Sequence, residues 1–320
     1  MKSLVALGLL LCGLLGGGQA DADTYPSKPI KLINPWQVGG GVDALARLVG
    51  VKMQERWGQP VIVDSKAGTG GNIGTDFVAK SPPDGYTLLI NNGTLTTNPS
   101  FFAKMPFDVE KDLAPISMIA MQQFYLVVDN SLPVRNMREL IAYAKANPGK
   151  VFYATPGGGT PQHLAGELLK SMAGVDIVHV PYKGQSPALT AVMAGQVQMT
   201  WLTLNAALPL IEAGKVRGIA IAAKERLASL KDVPVIAETL PGFEIYTWVG
   251  LFAPAQTPPQ IIRQLTGEVH RFAQLPDVRE KLIPLGYDIR TTTPAELHSI
   301  MSTELVKWAR IVKEAGIKPE

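Results

Sequence analysis

An α/β protein of two domains is what this sequence predicts, on three observations. From Ile30 onward, short β-rich runs alternate with helical patterns, which argues for βαβ units and mixed, mainly parallel sheets. The alternation runs through once and begins again after about residue 123. The chain has 320 residues, 46% of them hydrophobic and 18% charged, which exceeds one typical domain and is ample for two cores.

In chain order the first series is IKLI, a helix over 42–57, VIVD, a helix over 71–80, and TLLIN. The second is YLVVD, a helix from Arg135 to Ala146, VFYAT, a helix from Pro161 to Met172, DIVHV, a helix over 187–194, and VQMTW. In the last sixty or so residues, PPQIIRQLTGEVHRFAQL and TPAELHSIMSTELVKWARIVKEAG carry apolar residues at spacings of three and four, so both are helices. One internal comparison bears on how the pieces join. LVVDNSLPVRNMREL (126–140) and LFAPAQTPPQIIRQL (251–265) align without gaps as strand, proline and helix. The identities are few, so they reflect either chance or one such unit per domain. On the second reading the chain crosses near residue 123 and returns between 225 and 245. Domain 1 is then 23–123 plus 226–320, domain 2 is 124–225, and two crossings make a hinge.

The first residues differ in kind. Met1 and Lys2 give a positive start, SLVALGLLLCGLL is an apolar run too short to anchor in a bilayer, and small residues follow. Residues 1–22 read as a signal peptide, cleaved after Ala20 or Ala22, which predicts an exported, periplasmic protein. Cys12, the single cysteine, leaves with it. That excludes a cysteine nucleophile, a thiolate metal site and disulfides from the mature chain. A net charge of +3 from 30 basic and 27 acidic residues, with no long basic block, implies no nucleic-acid partner.

The chemistry concentrates in two glycine-rich loops. NPWQVGGGVDALARL (34–48) sets Gly39, Gly40 and Gly41 between a strand and a helix, and ATPGGGTPQHLAGELL (154–169) repeats the design with Gly157, Gly158 and Gly159. Thr160 is a good N-cap and Pro161 suits the first helical position. Unpaired N–H groups at a helix start attract phosphate or carboxylate without a charged side chain, and glycine lets the ligand approach. Neither loop carries the Lys-Ser/Thr of a P-loop, and GTGGNIG (68–74) does not match the dinucleotide fingerprint, so a small carboxylate suits better than a nucleotide. Both loops also read as tight turns ahead of capped helices. Asp43 reads first as a first-turn acid favoured by the helix dipole; as a ligand contact it would act through water or an ammonium group.

Catalytic constellations are scarce. His163 and Glu167 share a helix face but form only half a metal site, and GQSPA around Ser186 lacks the second glycine of a nucleophile elbow. No cofactor or metal is expected. Among the aromatics, Trp36 stands in the first loop, Phe124 and Tyr125 at the first crossing, Trp201 at a strand end and Trp248 near the return. Core packing explains each of these except Trp36, which needs something to cover.

YPSKPIKLI, GGGVDALARL, QPVIVDSKAGTGGNIGTDFVAKSPPDGYTLL, ANPGKVFYATPGGGTPQHLAGELLKSMAGVDIVHVPYKGQSPAL, AGQVQMTW and AGIKPE together resemble the Bug family, the substrate-binding proteins of tripartite tricarboxylate transporters. The resemblance runs from about Tyr25 to the C-terminus. It implies a type II periplasmic binding protein, a two-domain Venus flytrap whose interdomain cleft takes a small carboxylate and delivers it to membrane subunits. It implies a binding protein and not an enzyme, with a monomer expected. Matched position by position, the family's ligand loops fall on Gly39, Gly40, Gly41 and Asp43, and on Gly157, Gly158, Gly159 and Thr160. Thr94, Gly184 and Ser186 edge the cleft. Where family members read P-F-P-P-G-G-G this chain has Pro35, Trp36, Gln37 and Val38, and an F-D-N motif is replaced by Trp201, Leu202 and Thr203. Trp36 and Trp201 are therefore expected to contact a ligand with an aromatic or apolar body. A sensor-presenting protein of the same fold, or an exported hydrolase using His163 or Ser186, are the alternatives.

Overall fold

The computed structural model describes residues 25–182, 184–227, 230–284, 286–314 and 316. The expected leader over 1–22, with Cys12, and the closing residues 317–320 lie outside them. The chain opens with β1 (Ile30–Asn34), α1 (Gly41–Trp57), β2 (Val61–Ser65), α2 (Asn72–Ala79), β3 (Thr87–Asn92) and α3 (Thr94–Phe101). β4 (Leu113–Val128) leads into α4 (Met137–Ala146), β5 (Val151–Thr155), α5 (Pro161–Ala173), β6 (Ile177–Pro181), α6 (Gln185–Met193), β7 (Met199–Thr203), α7 (Leu204–Glu212) and β8 (Arg217–Ile221). The last elements are β9 (Tyr246–Pro254), α8 (Pro259–Gln274), α9 (Pro276–Leu282), β10 (Asp288–Ile289) and α10 (Pro294–Glu314).

The strands lie in the order β2-β1-β3-β9-β4-β7-β5-β6, with β8 and β10 also on β4. The outer pairs β1–β2, β1–β3, β5–β6 and β5–β7 are parallel, as crossover helices require. The central pairs around β4 and β9 are antiparallel, so the sheets are mixed more evenly than the βαβ pattern implied. Two-residue alternation then sorts each strand's side chains. Ile30 and Leu32 of β1 face α1 and α8 with Leu45, Val49, Met53 and Phe272, while Ile33 turns to Leu95, Phe252 and Met301 on the other side. Each such side chain taken out of water contributes about 1.5–3 kcal/mol.

β4 joins the two sheets without a loop. Its residues 113–123 pair with β9, ending at Gln123 opposite Tyr246, and Phe124 to Val128 pair with β7 and β8. Gln122 and Gln123, half-buried in an otherwise apolar run, mark the handover. The return is equally abrupt: the Ile245 N–H donates to Ala222 O in the second sheet, and Tyr246 pairs with Gln123 in the first.

Two segments bear on where the lobes divide. Ile236, Phe243 and Ile245, from the 226–245 stretch grouped with domain 1, belong to the core of the second lobe. α10 is shared, with Leu297 and Met301 in the first lobe's core and Trp308, Ile311 and Val312 in the second's. At 21 residues it is about 30 Å long, enough to reach both.

Candidate ligand-binding site

The carboxyl ends of β1, β3, β5 and β7 all lead into helix starts, and the polar residues Asn34, Asn91, Asn92, Thr155 and Thr203 stand at those ends. On the first side, Gly39 takes a positive φ of 87° and nothing would crowd a Cβ there, so backbone geometry alone demands glycine. Gly41 is a different case: a Cβ would lie 2.9 Å from the Tyr287 hydroxyl. Asp43 organises the loop from within. Its buried carboxylate accepts from the Gly39 N–H (3.0 Å), Asn34 Nδ2 (3.2 Å) and Arg47 Nε (2.9 Å). Burial alone would raise its pKa, but the hydrogen bonds from Arg47, Gly39 and Asn34 together hold it below the ordinary carboxylate range. Trp36 is half-buried; its indole N–H donates to Asn91 Oδ1 (3.1 Å) and its ring edge lies against Gly71.

On the second side, Thr160 caps α5 by accepting from the His163 N–H, and its own hydroxyl donates to Gly157 O (2.8 Å). Gly157 and Gly159 have positive φ, and Gly159 also lies where a Cβ would be 3.1 Å from the Phe101 ring. Gly158 has open space. The Gly184 N–H donates to Pro156 O (3.1 Å), which fixes the start of α6 beside this loop. Ser186 follows on the exposed first turn.

Close contacts join the sides, among them that of the Thr97 hydroxyl, which donates to Gly159 O (3.5 Å). α3 begins at Thr94, whose N–H and hydroxyl both reach Asn92 Oδ1, and ends by pressing Phe101 under Gly159. A Cβ on Gly286, one residue before Tyr287, would lie 2.7 Å from Asn205 Oδ1 at the start of α7.

α1, α6 and α7 start at Gly40, Gly184 and Thr203 with no side-chain cap. Their first N–H groups have no intrahelical acceptor, so three helix dipole ends are exposed at these loops. Several buried polar atoms near these starts are also unpartnered among the described residues: Gln185 Nε2, Asn205 Oδ1 and, on the crossing strand, Gln123 Oε1.

The second expected aromatic contact lies away from the surface. Trp201 is fully buried in the second lobe's core, edge-on to Tyr153 at 5.8 Å, because its side chain shares the face of β7 that α5 covers. His163 and Glu167 are likewise buried beneath the second loop and not on a solvent face. Sequence reasoning passed over Tyr287, Asn205, Gln185 and Phe101. The first two come close only in the fold, whereas the polar strand ends were a legible signal.

The sequence profile described as tripartite tricarboxylate transporter family receptor matches residues 45–317. The protein of the tcbD–tcbE intergenic region of Pseudomonas sp. strain P51 is 39% identical over 294 residues, covering 91% of this chain and 88% of that one. Protein BugT of Bordetella pertussis is 35% identical over 320 residues, covering 99% and 98%. Among solved structures, R. palustris Rpa4515 with adipate superposes with a TM-score of 0.80 at 35% identity, covering 92% of this chain and 100% of that one. MatC from Rhodopseudomonas palustris with bound malate gives 0.75 at 31%, covering 90% and 100%.

Proposed function

The chain belongs to the tripartite tricarboxylate transporter receptor family, and on that premise we propose that it is a periplasmic solute receptor, exported by the leader over 1–22, that binds a small carboxylate between its lobes. It acts by binding and not by turnover, as a monomer that presents its ligand to the membrane subunits of a tripartite transporter. The observation that carries this reading is the ring of helix starts at the strand ends, where glycine backbone and unpaired N–H groups supply the positive potential. One anchor lies on each side, which favours a dicarboxylate. Two relatives solved with dicarboxylates, adipate and malate, agree with that. Gly39, Gly40, Gly41, Gly157, Gly158, Gly159 and Gly184 supply backbone contacts, Thr94, Thr160 and Ser186 supply hydroxyls, and Asp43 holds its loop in shape.

An aromatic ligand body rested on Trp36 and Trp201, and the burial of Trp201 removes half of that support. An aliphatic dicarboxylate is the better fit. The hydrolase alternative needs a free base, yet His163 Nδ1 is taken by the Gly159 N–H. The hinge lies between Gln123 and Phe124 on the outward pass and between Ile245 and Tyr246 on the return.

Calorimetry with adipate, malate, benzoate and the methyl esters tests the reading. The expected result is heat from the diacids and none from their esters, because esterification removes the charge that the helix starts recognise. Equal affinity for acid and ester would sink it.

A further inference from the structure

Beneath the second glycine loop, the His163 and His179 rings stack at 3.9 Å with planes 11° apart. Their hydrogen bonds lead back to the loop. The Gly159 N–H donates to His163 Nδ1 (3.3 Å), and His179 Nε2 lies 2.6 Å from the Thr155 hydroxyl oxygen, which accepts from the Gly157 N–H (3.2 Å). The Thr155 hydroxyl also donates to Gly157 O (3.1 Å), beside the Thr160 hydroxyl, so the Thr155 oxygen can accept from His179 Nε2–H.

We propose that His163, stacked on His179, is a positioning residue for the second glycine loop, holding it in its anion-binding conformation only while its ring is neutral. The inference rests on the reading of that loop as a ligand anchor. Nδ1 of His163 accepts from Gly159 only when it carries no proton. Protonation there turns an acceptor into a donor aimed at another donor. Thr155 can accept from His179 and still hold Gly157 through its own donor and acceptor, so the tie that protonation breaks is the one between His163 and Gly159.

The surroundings hold the pair neutral. From α5, Glu167 favours a charge on His163 while Lys170 opposes it, and Lys170 is itself paired with Glu167 (2.9 Å). From β5, Tyr153 stacks on His179 (5.1 Å) and donates its hydroxyl proton to Glu167 (2.7 Å). α3 contributes the uncharged Phe101 ring, and α10, packed on α5, contributes Trp308, Ile311 and Val312 to the same core. Burial dominates, lowering the pKa of His163 and bringing that of His179 down to about 3. Acidification therefore attacks the loop from below, apart from any protonation of the ligand.

The test uses the full chain, adipate as probe, and the variants His163→Asn, whose amide oxygen can replace Nδ1 as acceptor, and His163→Phe, which keeps a ring without one. At about pH 8 the asparagine variant should bind within about threefold of wild type and the phenylalanine variant about tenfold more weakly, the scale of one lost hydrogen bond. As the pH is lowered through the His163 titration, the wild-type affinity should drop relative to that of the asparagine variant, a ratio in which ligand protonation cancels. Glycine-selective ¹⁵N spectra read the loop without ligand. The Gly159 amide should move with the imidazole titration in wild type and stay still in His163→Asn. Wild-type affinity in the phenylalanine variant, or a Gly159 amide that does not follow the titration, overturns the proposal. Absence of adipate binding at every pH, with Gly159 still titrating, removes the ligand assignment and leaves the positioning role standing.

Discussion

Trp36 and Trp201 show how one residue type meets different surroundings in the two lobes. Trp36 sits half-buried on a loop, held by one hydrogen bond to Asn91, whereas Trp201 is enclosed among Tyr153, Phe124 and the residues of α5. Trp201→Ala should therefore cost about 3–5 kcal/mol of folding stability and leave the ratio of aromatic to aliphatic acid affinity unchanged. Trp36→Ala should lower stability far less and weaken ligand binding by about 1–3 kcal/mol. Denaturant midpoints and calorimetry on both variants check this. A large stability loss at Trp36 with unchanged affinity would remove it from the site.

At the scale of elements, α5 owes its position to a residue that a helix normally penalises. Gly166 lies mid-helix, and a Cβ there would fall 2.2 Å from the Tyr153 ring. The ring passes over this gap, and its hydroxyl reaches Glu167 on the same helix. Gly166→Ala gains helix propensity of about 1 kcal/mol but must overpack a buried aromatic, so a net loss of about 1–3 kcal/mol is expected. A rise in melting temperature would contradict that. The histidine stack makes the same layer pH-dependent. His179 titrates near 6.5 when unfolded and about 3 when folded, so between those values the unfolded chain binds the extra proton. Stability is unaffected above about pH 6.5 and should fall as the pH drops below it, by at most about 1.4 kcal/mol per pH unit. Urea midpoints of wild type and His179→Gln between about pH 7.5 and 4 should diverge in that direction. Parallel curves would show that the ring is not held neutral.

The whole molecule is joined by two strands and one long helix. β4 and β9 hand the chain between sheets within one residue, and α10 contributes to both cores. Midway along α10, the buried Glu304 accepts from Thr96 Oγ1 (2.7 Å) and Trp248 Nε1 (2.9 Å), tying α3 and the return strand to it. α3 in turn carries Phe101 to Gly159, so the second glycine loop is coupled through α3 to α10 and the return strand. With one anchor in each lobe, as proposed, a saturating diacid should draw them together and reduce the radius of gyration in small-angle scattering. An identical radius with and without ligand would mean that the lobes do not respond to it.

Alternating β-rich and helical segments, the glycine loops, the caps at Thr160 and Pro161, and the helicity of the last residues were all legible in the sequence, because each depends on local backbone preference or short-range periodicity. α3 and α7 were not, since α3 is threonine-rich, both carry a proline, and neither shows a long apolar stripe. Nor was the character of individual site residues. That Asp43 faces inward to its own loop, that Trp201 is core, that two histidines sixteen positions apart stack, and that Tyr287 closes on Gly41 are outcomes of packing between distant segments. Sequence fixes which side chains are available and the local backbone that carries them. Only the tertiary structure decides which face of a strand a neighbouring helix covers, and with it whether a residue meets the ligand or the core.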